Sequence, residues 1–66
     1  MTPTFPVCFS QTQIGVAANE ADAIALYNHS YTRRGIAARV TRAELGNWPD
    51  WRGQTWMIRE LLERAP

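Results

Sequence analysis

Ala18-Asn19-Glu20-Ala21-Asp22-Ala23-Ile24-Ala25-Leu26-Tyr27-Asn28-His29-Ser30-Tyr31-Thr32-Arg33-Arg34-Gly35 is the one stretch of this sequence whose start, body and stop can all be read. Asn19 is a favoured N-cap residue, and Asp22, three positions on, stands where the acid of a capping box stands. Glu20 and Asp22 put negative charge in the first turn, where the helix dipole favours it; Arg33 and Arg34 put positive charge in the last. Gly35 follows as a C′ glycine, free to take the left-handed conformation that ends a helix. The stretch predicts a helix over 19–34. Its apolar stripe is Ile24, Tyr27 and Tyr31, flanked by Ala21 and Ala23, and Leu26 lies off it, on the side of Asp22, His29 and Arg33.

On the N-terminal side, Phe5, Val7 and Phe9 are apolar at odd positions, while Ile14, Val16 and Ala18 are apolar at even ones. Side chains alternate strictly along a strand, so a continuous strand would turn one set outward. Either a bulge sits near Ser10–Gln13 or the chain reverses there in a hairpin with a four-residue loop, which we favour slightly. Ser-Gln-Thr-Gln is poor turn chemistry, lacking Gly, Asn and Pro. Pro6 has no N–H and places the first strand at a sheet edge.

On the C-terminal side, Ile36, Ala38 and Val40 alternate as in a strand, although Ile36, Val40 and Ala43 also fit helical spacing. Thr41-Arg42-Ala43-Glu44 has capping-box form and predicts one helical turn. Asn47–Gly53 is a turn-rich connector holding Trp48 and Trp51. From Gln54, the spacing of Met57, Ile58, Leu61, Leu62 and Ala65 predicts a second helix over 54–65, with Arg59–Glu63 and Glu60–Arg64 as i,i+4 pairs.

The expected fold is therefore a small two-layer α+β domain over 1–66, order β(β)αβα. Its strands fall at 5–9, 14–18 and 36–41, in a short antiparallel or mixed sheet carrying two helices. The expected core is Phe5, Val7, Phe9, Val16, Ile24, Tyr27, Tyr31, Ile36, Val40, Trp51, Ile58, Leu61 and Leu62.

Size and charge narrow the function classes. A 66-residue chain buries only about 60% of the surface its unfolded form exposes. Cys8 has no disulfide partner and His29 is the single histidine, so the usual staples of small domains are missing and self-association as a homodimer is one route to further burial. No apolar run approaches 18 residues and no signal-peptide pattern opens the chain, so a cytoplasmic protein with a reduced thiol is expected. Seven Arg, no Lys and six acids give +1, neither the excess of a phosphate-tracking protein nor that of a DNA mimic. Arg in place of Lys, beside many Ala, points towards a GC-rich bacterial or phage source.

Catalytic chemistry is hard to assemble from these residues. Asp22 shares a helix side with His29, but seven residues are about 10.5 Å apart along a helix, too far for a hydrogen bond. Cys8 reads as a packing residue. The glycines match no dinucleotide or phosphate loop, and no acids fall at metal-ligand spacing. Neither enzyme, cofactor nor metal is expected.

A binding role is what remains, with a larger protein or complex as partner. Leu26 and Trp56 lie off their expected helix stripes and have the composition of interface anchors; His29, Arg33, Trp48 and Arg59 accompany them. The alternative is nucleic acid, bound by a helix-turn-helix-like trio or by Arg33, Arg34, Arg39 and Arg42. Chains of this size without catalytic signals commonly serve phages and mobile elements as occluding inhibitors or regulators, anti-CRISPR proteins among them. That is a class expectation carried by no residue here.

Overall fold

The computed structural model describes residues 2–47 and 53–63, the last of these by its backbone alone. Trp48, Trp51 and the i,i+4 partner Arg64 lie outside the described residues.

The helix forms as its termini dictate. Helix α1 is Glu20–Arg33, and the Asn19 side chain accepts the Asp22 N–H at 2.9 Å. At the other end Ile36 N–H donates to the Tyr31 carbonyl at 3.0 Å and Gly35 N–H to that of Thr32 at 3.1 Å. This is Schellman pairing, and Gly35 supplies the φ of 73° it needs.

Around α1 the chain builds four strands, β1 (Phe5–Phe9), β2 (Thr12–Ala17), β3 (Ala38–Asn47) and β4 (Gln54–Glu63). They form one mixed sheet in the order β2-β1-β4-β3. β1 with β2 and β3 with β4 pair antiparallel, while β1 meets β4 in parallel at Val7 and Trp56. The α+β class holds, but among the described residues the sequence of elements is ββαββ with a single helix, not β(β)αβα with two. Pro6 is accordingly not on an edge strand, because β1 is flanked on both sides.

Three expectations fail for the same reason, that strand pairing overrides local pattern. The helix expected over 54–65 is β4, which fills the gap between β1 and β3 and pairs with β3 from Gln54–Asn47 to Glu63–Ala38. The strand expected over 36–41 starts at Ala38 and runs on to Asn47. The helical turn expected at 41–44 is its bulged middle, where register shifts on both sides of Arg42. The groups of the apparent capping box bond across the fold: Thr41 Oγ1 donates to Glu60 Oε1 at 2.7 Å, and Ala43 N–H donates to Glu20 Oε2 at 3.0 Å.

The parity change before the helix uses both devices at once. The hairpin is closed by a two-residue loop, Ser10–Gln11, with Ser10 at φ 58°, a conformation that primed hairpin turns require and that non-glycine residues resist. β2 therefore begins at Thr12, not at 14. Between the Val7–Gly15 and Cys8–Gln13 pairs, Ile14 is the extra residue of a bulge. The bulge lets Ile14 pack against the core, but Val16 turns outward and is 53% exposed.

The core lies between α1 and one sheet face. Val7, Phe9, Tyr27, Tyr31 and Val40 are buried as expected, joined by Ala17, Ala23, Ala43 and Trp56. Phe5, Ile24 and Ile58 pack partly buried against them. Four expected core residues are instead exposed: Val16, Ile36, Leu61 and Leu62. Leu61 and Leu62 owed their core assignment to helical spacing, which a strand does not have.

Burial pushes the phenols of Tyr27 and Tyr31 and the thiol of Cys8 above their ordinary values. Tyr27 is fully buried and its hydroxyl donates to the Trp56 carbonyl at 2.5 Å. A raised folded-state pKa means that the fold stabilises the neutral form. That stability is whole below the unfolded values, 9.0 for the thiol and 10.0 for the phenols, and is lost as pH rises through and beyond them. The urea midpoint is therefore expected to stay level from about pH 7 to 8 and to fall between about pH 9 and 11. Tyr27→Phe, starting from a lower midpoint, should show a shallower fall; an equal slope would mean that Tyr27 does not carry the effect.

Candidate functional site

Leu26, His29, Ser30 and Arg33 recur at i, i+3, i+4 and i+7, so they form one stripe of α1. This stripe overhangs β2. Together with Gln13, Ile14 and Arg34 it lines a groove of about 500 Å³. At one end helix and strand touch: a Cβ added to Gly15 would lie 3.0 Å from a terminal carbon of Leu26, so Leu26 rests on bare backbone. The bulge brings Ile14 to the same floor.

The other end is basic. Arg34 caps the helix and its guanidinium carbon lies 4.4 Å from the centre of the Phe9 ring, a cation–π distance. Phe9 is itself held edge-on by Tyr31, with ring centres 4.7 Å apart. Arg34 is thus steadied on a buried aromatic pair, with Arg33 and His29 beside it. Among the described residues no carboxylate lines the groove. Its chemistry is an apolar floor leading to two guanidinium groups, suited to an apolar side chain followed by a carboxylate or another anion.

Of the residues singled out in the sequence, the structure brings Leu26, His29, Arg33 and Arg34 to this one groove. Gln13, Ile14 and Ser30 complete it and were missed. Ser30 was legible from the helix period; Gln13 and Ile14 reach the groove only through the bulge and the return of β2 under α1.

The other candidates go elsewhere. Trp56 is not an exposed anchor on a helix: it is 8% exposed, and its indole N–H donates to the Ala17 carbonyl at 3.0 Å. Arg59 is exposed and pairs with Glu44 across the strands at 2.8 Å, in place of the expected helical pair with Glu63. Arg39 lines a concavity between α1 and the start of β3, and Arg42 lines a third, in company with Glu20, Glu44 and Glu60. The four arginines of the nucleic-acid alternative are therefore divided among three concavities. The helix-turn-helix version of it is overturned, because its second and third helices are strands.

Cys8 is free and buried, and burial raises the pKa of its thiol, which disfavours the thiolate. Among the described residues there is no group of three His, Cys, Asp or Glu side chains that could hold a metal, and no helix long and apolar enough to cross a membrane. No family model, curated protein or solved structure matches the chain.

Proposed function

We propose that this chain is a non-enzymatic protein-binding module whose contact surface is the groove between α1 and β2, and that its partner presents an acidic, partly apolar segment. The observation that carries the reading is the juxtaposition of Ile14 and Leu26 with Arg33 and Arg34 in one groove. Protein is favoured over nucleic acid because the basic end is short and follows an apolar floor, whereas a phosphate backbone asks for a continuous basic track. A module of this size acts by covering part of a larger partner, the mode of an inhibitor or regulator of bacterial or phage origin. In this reading it works in the cytoplasm, where Cys8 stays reduced.

The test is capture of partners from a bacterial lysate with the tagged chain, followed by affinity measurements on the purified partner. Arg33→Glu is expected to weaken binding at least about tenfold, and Leu26→Ala by about 2 kcal/mol. Melting temperatures must accompany both, since Leu26 also packs on Gly15. A nucleic-acid partner whose affinity falls steeply with salt, unmoved by Leu26→Ala, would overturn the reading.

A further inference from the structure

The two edges of the sheet are finished differently. On β3 three backbone groups, at Val40 and Ala43, are occupied by helix side chains. Asn28 Oδ1 accepts the Val40 N–H at 2.6 Å while its Nδ2 donates to the Val40 carbonyl at 3.3 Å, so one carboxamide stands in for a neighbouring strand. Three residues on, Glu20 takes the Ala43 N–H. Charged Arg39, Arg42 and Glu44 complete the usual protection of an edge. Among the described residues no helix side chain bonds the backbone of β2, at the opposite edge, where the Ala17 carbonyl alone is held by a side chain from another element, the Trp56 indole. Thr12–Ala17 contains no charge and no proline, and the Gly15 carbonyl is met by the exposed Gln13 amide at 3.4 Å, a long bond that a better donor would displace.

The unsealed edge is the one that runs beside the groove. We propose that the partner segment binds by adding to the outer edge of β2 as a further strand. One apolar side chain then seats between Ile14 and Leu26, and an acidic one meets Arg33 and Arg34. The inference rests on the groove reading above and adds the backbone to it: main-chain hydrogen bonds to β2 supply affinity, and the groove selects side chains. Charge complementarity chooses the occupant, since a second copy would offer an uncharged β2 to the arginines. Leu26 and Arg33 are about 10.5 Å apart along the helix, at 1.5 Å per residue. Same-face side chains of a strand recur about every 6.8 Å. The apolar and acidic residues of the segment are therefore expected two or four positions apart.

A random decapeptide library displayed on phage, panned against the immobilised chain, tests this. The enriched peptides should share an acidic residue two or four positions from an apolar one. The consensus peptide is then synthesised plain and with alternate amides N-methylated in each of the two registers, which keeps its side chains and removes strand donors. Strand addition predicts that one N-methylated register binds at least about tenfold more weakly than the plain peptide, the other much less so. It also predicts new hydrogen-exchange protection at β2 amides in the complex. Equal binding of plain and both N-methylated peptides, with Arg33→Glu still weakening all of them, would overturn strand addition and leave the groove reading standing. Absence of enrichment, or enriched peptides indifferent to Arg33→Glu, would overturn both. A concentration-dependent dimer of the free chain, abolished by Val16→Lys, would show that a second copy occupies β2 and would overturn the proposal.

Discussion

Trp56→Ala is expected to unfold the protein. The indole is 8% exposed in the centre of the sheet, on the strand that joins the β1–β2 hairpin to β3, and its N–H holds the Ala17 carbonyl at the end of β2. Truncating a buried tryptophan costs about 3–5 kcal/mol through lost burial and the cavity left behind. A single core in a domain below about 70–80 residues supplies about 3–5 kcal/mol in all. Loss and reserve are equal in size, so the far-UV circular dichroism of the variant should be that of an unfolded chain at 25 °C. Trp56→Phe keeps most of the ring and loses the bond to Ala17, so it should stay folded with its stability lowered by about 1–2 kcal/mol. A folded Trp56→Ala with intact stability would mean that the indole is not a core member.

The second large effect is expected at Asn28, a polar residue on the helix that local pattern alone gives no reason to notice. Asn28→Leu keeps the branched arrangement of heavy atoms and removes both hydrogen bonds to Val40, which is 1% exposed. Two backbone groups then lose their partner at once, at a cost of about 2–3 kcal/mol after allowing for the part of the site that water reaches. Urea denaturation measures it directly. The exposed neighbour Ala25, changed to Leu, is the control and should move stability by no more than about 0.5 kcal/mol. If the two variants lose the same small amount, water serves Val40 as well as Asn28 does.

The helix was legible because its signals are local: Asn19, Asp22 and Gly35 act within one turn of their own position, and no distant partner is needed to interpret them. The groove was half legible for the same reason, since Leu26, His29 and Arg33 share a helix side whatever the rest of the chain does. β4 was not legible. Met57, Ile58, Leu61 and Leu62 repeat at helical spacing, and only the presence of β3 on one side and β1 on the other converts Gln54–Glu63 into a strand. Leu61 and Leu62 remain largely exposed as the residue of that conflict. The parity change at Ser10–Gln13 signalled an irregularity correctly, but parity alone does not distinguish a bulge from a turn, and the chain uses both.

The unequal finish of the two sheet edges also limits what can be built from this molecule. A sheet with two open edges can stack head to tail, β2 of one copy on β3 of the next, and such a heterologous contact never closes: it propagates into a fibre. Here Asn28 and Glu20 already hold backbone groups of Val40 and Ala43 on the β3 side of such a joint. Head-to-tail stacking of copies over that stretch of β3 is therefore disfavoured, because an incoming strand would have to displace the helix side chains that already hold its backbone groups.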